Sequence, residues 1–113
     1  MITRKADMPV ETREAMRGGP GAALLTELLP EPPAHMRLFN IITLNPGCGI
    51  GYHVHENETE LFYFISGTAR VRDDEETFEM HPGDSMSTGH GHGHAVECVG
   101  DEPAVLLACI VLD

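Results

Sequence analysis

Turn-forming residues recur at short intervals through the last two thirds of this chain, and that punctuation restricts it to short extended segments. Asn45-Pro46-Gly47, Gly67, the acidic group Asp73-Asp74-Glu75-Glu76, Pro82-Gly83 and Gly100-Asp101-Glu102-Pro103 each separate runs of apolar or alternating residues. The runs are Met36 to Leu44, Gly51 to His55, Glu60 to Ser66, Thr68 to Arg72, Thr77 to Met80, Asp84 to Thr88, Ala95 to Val99 and the apolar Val105 to Val111, which reads as a buried closing strand. Regular short strands with Gly and Pro between them predict an all-β sandwich or barrel. No repeat or internal boundary interrupts the 113 residues, about one domain's length. Residues 34–113 are expected to form the barrel, and residues 1–33 an N-terminal arm of the same domain.

The arm has a different texture. Asp7 can cap a helix that Pro9 opens and that runs through Met16 to a stop at Gly18-Gly19. Ala22 to Leu29 then reads as a strand or irregular arm, closed by Pro30, Pro32 and Pro33. Such a segment cannot bury both faces alone. It is expected to lie across the barrel or across a second subunit, which, with the apolar C-terminal strand, predicts a homodimer.

Seven Lys and Arg against eighteen Asp and Glu leave a net charge of −11. A nucleic-acid binder needs a basic stripe to release counterions, and anionic lipid surfaces repel a chain of this sign, so neither nucleic acid nor membrane is an expected partner. No apolar run is long enough to span a bilayer, and Met1 to Arg17 carries charges throughout, so the expected location is the cytoplasm. Cys48, Cys98 and Cys109 are odd in number and lack CxxC spacing, which argues against a disulfide framework and a thiolate zinc site. Cys109, inside the apolar closing run, reads as a small buried hydrophobe.

The seven histidines carry the chemistry. His53 and His55 are two residues apart, so on a strand both rings share a face and reach one ion. Glu60 begins the next run, where a tight connection through Glu56 to Thr59 returns its carboxylate beside them. Two imidazoles and a carboxylate suit Mn, Fe, Co, Ni, Cu or Zn and leave coordination positions open. If Glu60 points inward, Phe62 and Phe64 follow it and line the pocket. By the same alternation Gly49 and Gly51 either leave space beside the ion or serve a turn or bulge, and Tyr52 and Val54 face away. Asn40, in an apolar run, is either a polar handle for a ligand or an edge residue. His35 and His81 are expected at the surface, and Glu56 and Glu58 as exposed loop carboxylates.

The frame around these residues is more specific than any pair within it. Gly47, five residues, His53, one residue, His55, four residues, Glu60, six residues and Gly67 resemble the first motif of the cupin superfamily at every fixed position. Gly83 to Cys98 is similar to the second motif, with Gly91 and His94 in place, Gly89 where Pro is usual and Cys98 where Asn is usual. The resemblance implies a cupin double-stranded β-helix, a jelly-roll barrel of six to eight strands, and makes His94 the third imidazole ligand, with His92 as its competitor in the loosened Gly-His-Gly-His-Gly-His stretch. His90 and His92 are otherwise exposed loop histidines or proton shuttles at the mouth. Cys98 falls on the His94 face, deeper in the barrel, where it is expected to line the pocket without touching the metal, and it joins His92 as a candidate for catalysis.

Together with the segment Met16-Arg17-Gly18-Gly19, the frame looks like the small single-domain cupins grouped with oxalate decarboxylase, which implies manganese or another divalent transition metal and a dimer. The segment length admits one barrel, and no lid bearing a carboxylate is visible. A divalent ion with one carboxylate leaves a local charge of +1, which attracts a small anion. Two readings follow: a metal-dependent decarboxylase or dioxygenase acting on a small carboxylate or other chelating compound, or a non-catalytic module that binds or senses such a ligand. A positioned acid or base beyond the four ligands is what separates them.

Overall fold

In the computed structural model, which describes residues 1–113, ten strands form two antiparallel sheets of a jelly-roll barrel. The strands are β1 (Val10–Glu14), β2 (Ala22–Glu27), β3 (Met36–Leu44), β4 (Gly49–Val54), β5 (Glu58–Ser66), β6 (Ala69–Asp73), β7 (Glu76–Met80), β8 (Ser85–Thr88), β9 (Gly93–Cys98) and β10 (Ala104–Leu112). The larger sheet runs β1-β2-β3-β10-β5-β8 and the smaller β4-β9-β6-β7. The only helical pieces are single 3-10 turns at Lys5–Asp7 and Met16–Gly18. No helix is long and apolar enough to cross a membrane.

The expected helix from Pro9 to Met16 is therefore strand β1. Val10 and Thr12 favour extended backbone, and an isolated helix this short has little stability of its own. Pairing with β2, from Val10 opposite Thr26 to Glu14 opposite Ala22, gives its backbone partners that a lone helix would lack. The β2 segment does not lie across the barrel. It pairs with β3 from Leu24 opposite Thr43 to Glu27 opposite Asn40, so this hairpin widens the larger sheet, and the strand count rises above the expected six to eight.

Alternation builds the interior. Phe62 and Phe64 of β5, Leu106 and Ala108 of β10, Ile42 and Leu44 of β3, Val71 of β6 and Val96 of β9 are all buried in one apolar cluster. The buried polar side chains are Asn40, His55, Glu60, Thr88 and His94. Glu60 and Thr88 are register partners, as are His53 and His94 in the other sheet, so these four gather at one level of the barrel, while Asn40 stands opposite Ala108. Asn40 lies on the inner face rather than at an edge.

One irregularity resets the alternation. Between Ile50 and His53, β4 carries one residue more than the facing stretch of β9 between Val96 and His94. This bulge lets Ile50 enter the core and His53 still turn inward, although they are an odd number of residues apart. It also decides between the two readings of Gly49 and Gly51 in favour of a bulge and against open space beside an ion. A Cβ on Gly51 would overlap the Arg17 carbonyl, and one on Gly49 would crowd Val96 and Glu97. Both glycines serve close backbone approach: the 3-10 turn at Met16–Gly18 presses against Gly51, and Gly49 donates to the Pro20 carbonyl at 2.8 Å.

Gly67 closes β5 with φ +77°, and a Cβ there would also run into the Pro103 carbonyl. Gly47 has a similar φ of +82° with nothing nearby. Gly47→Ala is expected to cost about 1 kcal/mol from backbone strain alone. Gly67→Ala adds overpacking and is expected to cost about 3 kcal/mol. Urea unfolding of both variants measures the difference.

Candidate metal centre

Three strands and one short connection converge on a single point. His53 projects from β4, His55 from just beyond its end, His94 from the neighbouring β9, and Glu60 from β5 of the opposite sheet. His55 is held as if the strand continued, its N–H donating to the His92 carbonyl at 3.0 Å and its carbonyl accepting from Gly91 at 2.8 Å. The three imidazole centroids form a nearly equilateral triangle with sides of 4.8, 4.8 and 4.9 Å. One donor atom from each of His53, His55, Glu60 and His94 lies within 4.8 Å of the others. His55, Glu60 and His94 are buried and His53 is partly open.

The outward nitrogens decide what the inward ones are. His53 Nδ1 donates to the Gly51 carbonyl at 2.8 Å and His55 Nδ1 to the Glu58 carboxylate at 2.6 Å, while His94 Nδ1 and the Thr88 hydroxyl, which can donate or accept, share a bond of 2.8 Å. A carbonyl and a carboxylate only accept, which places the proton of a neutral imidazole on Nδ1 and leaves Nε2 as a lone pair. The Nε2 atoms of His55 and His94 then face each other at 3.1 Å, and Glu60 Oε1 sits 3.1 Å from the first and 2.9 Å from the second. Lone pairs and a carboxylate at such distances in a buried site repel unless positive charge lies among them. Donors at right angles around one ion, with bonds of about 2.1 Å, stand ~3 Å apart, so the cluster fits a divalent metal.

The walls hold this geometry. The Phe62 ring stacks on His94 at 4.8 Å with an interplanar angle of 11°, fixing the imidazole plane, while Phe64 lies edge-on to Phe62 at 6.1 Å, farther into the core. Burial and, less strongly, the nearby Arg17 charge lower the pKa of His53 against the raising effect of its bond to the Gly51 carbonyl, which favours the neutral imidazole that can coordinate. Arg17 reaches this neighbourhood because the Met16–Gly18 turn packs on β4.

Glu58 corrects the expectation of an exposed loop carboxylate. It begins β5 two residues before Glu60, on the same face, and its side chain is only 13 % exposed. Arg37 of β3 grips it with two bonds of 2.8 Å, and that grip, more than its bond to His55, lowers its pKa to about 2. An Arg37–Glu58–His55 chain thus fixes the orientation and basicity of one imidazole. Strand parity from Glu60 was the signal that could have found it.

The two catalytic candidates lie elsewhere. His92 is exposed, and its Nδ1 meets Asp74 Oδ2 at 2.6 Å outside the barrel. Cys98 is buried in the apolar core with its thiol donating to the Glu102 carbonyl at 3.1 Å, four residues and roughly 13 Å along β9 from His94. His90 accepts from the Asn57 N–H at 2.8 Å, so it fastens the loop ahead of β9 to the β4–β5 connection. His35 and His81 are exposed, and Tyr52 and Val54 face outward as expected. Asn40 is 8 % exposed and lines a cavity of about 210 Å³ with Leu38, Leu25 and Arg13.

Comparison with known proteins places this site among relatives. The Cupin domain family model matches residues 40–110. The oxalate-binding protein of Thermotoga maritima is 32 % identical over 114 residues, covering 99 % of this chain and 94 % of that one. A crystal structure described as a predicted oxalate decarboxylase from Thermotoga maritima superposes with a TM-score of 0.94 at 31 % identity, over all of both chains. The oxalate decarboxylase OxdC of Bacillus subtilis is 38 % identical over 72 residues, which is 59 % of this chain but 19 % of that protein.

The Asp74 clamp gives a direct prediction. Its hydrogen bond raises the His92 pKa, and the Gly93 N–H and His92 lower that of Asp74. A raised histidine contributes stability that is full below its unfolded value and is lost as pH rises through the folded value; a lowered aspartate contributes above its unfolded value and loses it in acid. In an NMR titration His92 is therefore expected to titrate above the ordinary histidine range, and Asp74→Asn to return it toward that range.

Proposed function

The chain belongs to the cupin family, and from that premise we propose that it binds one divalent transition-metal ion through His53, His55, Glu60 and His94 and uses it to capture a small chelating carboxylate. The observation that carries this reading is the convergence of three imidazoles on Glu60, with the Nδ1 protons of His53 and His55 fixed outward by the Gly51 carbonyl and the Glu58 carboxylate. Three neutral imidazoles and one carboxylate leave a divalent ion with a net charge of +1 and open positions for two oxygens of one anion. A mixed nitrogen and oxygen donor set accepts manganese, the ion we favour, and also iron, cobalt, nickel, zinc or copper. The bound ion would supply Lewis acidity and a template for chelation. The chain itself orients the rings through Glu58, Thr88 and Gly51 and excludes water with Phe62.

Binding, rather than turnover, is the activity supported best. His92 and Cys98, the groups available for acid or base chemistry, are committed to Asp74 and to the Glu102 carbonyl. The name of the Thermotoga relative, an oxalate-binding protein, agrees with a small dicarboxylate as ligand. A decarboxylase or dioxygenase is the second reading, favoured by the stretch shared with OxdC.

Protein purified without a histidine tag is expected to hold about one transition-metal ion per chain by elemental analysis. Calorimetry is expected to show oxalate binding to the loaded protein and none after chelation. Full metal occupancy in His53→Ala/His55→Ala protein would overturn the assignment, and release of carbon dioxide from oxalate would promote the second reading. Glu58→Gln leaves all four donors in place but weakens the support of His55. It is expected to cut metal affinity about 10- to 100-fold, read by competition with a chromophoric chelator.

A further inference from the structure

The three cysteines stand in different surroundings. Cys109 faces outward from β10, opposite Phe39 and Leu61, and is only partly covered, so it is not the buried hydrophobe expected of it. What burial it has pushes its thiol pKa up, which leaves less of the reactive thiolate. Cys48 and Cys98, far apart in sequence, are neighbours in the smaller sheet.

The pairing of β4 with β9 sets Ile50 opposite Val96 and Gly49 opposite Glu97. One step farther along, the Cys98 N–H donates to the Cys48 carbonyl at 2.9 Å, so the two cysteines oppose each other directly. Ile50 and Val96 are buried on the inner face, and the residues two along from each take the same face. Directly opposed residues joined in this way stand ~5.5 Å apart at Cα, a spacing common among disulfides. Their Cβ atoms, ~5 Å apart by the same geometry, have to close by about 1 Å. Cys48 lies just outside β4, after the Asn45-Pro46-Gly47 turn, at the margin of the ladder where such a shift disturbs least.

We infer that Cys48 and Cys98 are a site of reversible oxidation, joined as a cross-strand disulfide by exchange with a small-molecule disulfide. Both are free thiols in this structure: the Cys48 sulfur lies in the space left by the missing side chain of Gly21, and Cys98 donates to the Glu102 carbonyl at 3.1 Å. Rotation about χ1 brings the sulfurs together. Cys48, the half-buried member, reacts first. Its thiolate attacks the small disulfide, whose S–S bond breaks and releases one thiolate. The Cys98 thiolate then displaces the second from the mixed disulfide. The two electrons and two protons lost by the cysteines end on two molecules of small thiol, which balances the exchange.

The bond matters for what it encloses. His53, His55, Glu60 and His94 all lie between Cys48 and Cys98 in sequence, so one bond closes a covalent ring that contains every donor. Such a ring restricts the unfolded chain and stabilises the fold that bears the site. Only the further step, tighter retention of the ion, rests on the metal reading above.

Excess oxidised glutathione added to the native protein is expected to lower the free thiols from three to one per chain, and dithiothreitol to restore all three. Mass spectrometry is expected to find the chain lighter by two hydrogens and a digest peptide linking Cys48 to Cys98. Cys48→Ser is expected to keep Cys98 reduced through the same treatment. The urea midpoint of unfolding is expected to rise by about 1 M on oxidation, in metal-free protein as in loaded protein. Three thiols left after treatment, a lasting glutathione adduct on Cys48, or a bond made to Cys109 instead would overturn the proposal, and so would an oxidised chain whose midpoint does not rise. A chain that forms the bond yet takes up no metal tells against the metal reading alone.

Discussion

The crowding of ligand-type atoms around Glu60 is the constraint on which the rest of this structure turns. Nε2 of His55, Nε2 of His94 and Oε1 of Glu60 approach to about 3 Å, and without a proton or a cation among them they would repel. The fold opposes that repulsion on every side. The pairing of β4 with β9 fixes His53 opposite His94, β5 brings Glu60 from the other sheet, and Phe62 holds the His94 plane. A site preassembled against its own repulsion gives binding energy to whatever cation relieves it.

This arrangement divides the barrel into two levels with different roles. Leu44, Phe64, Leu106, Ala69 and Cys98 form an apolar floor that supplies the hydrophobic stabilisation of a small domain. Above it stand the buried side chains of His55, Glu60, Thr88 and His94, costly to desolvate unless each finds a partner. Glu58 shows how far the support extends: its charge is balanced by Arg37 of β3, so an outer ion pair is spent on steering one imidazole rather than on surface stability, where such pairs contribute little.

Much of this was legible in the residues. The alternation of β5 placed Glu60 with Phe62 and Phe64, and the HxH pair with the spacing to Glu60 anticipated the convergence of the cluster, because strand geometry converts sequence separation into direction. What escaped the reading were events that depend on partners far along the chain. Residues 10–14 form a strand only because β2 waits beside them. Gly51 lies at a bulge, which parity alone could not choose over open space beside an ion, and its missing side chain admits the Arg17 carbonyl. Glu58 seemed a loop carboxylate because Arg37, 21 residues earlier, is invisible to local pattern. The apolar run through Cys109 read as buried since composition records that a face is apolar, not whether the same chain covers it.

The position of β4 carries a kinetic consequence. It is the outermost strand of the smaller sheet, bonded to β9 on one side only, and the Met16–Gly18 turn covers just its first half near Gly49 and Gly51. The second half, bearing His53 and leading to His55, ends at an open edge. Edge segments fray without the whole molecule unfolding. His53 and His55 thus hang from a strand paired on one side while Glu60 and His94 sit in strands paired on both, so for the proposed ion a local opening of β4 would release half of its shell without unfolding the barrel.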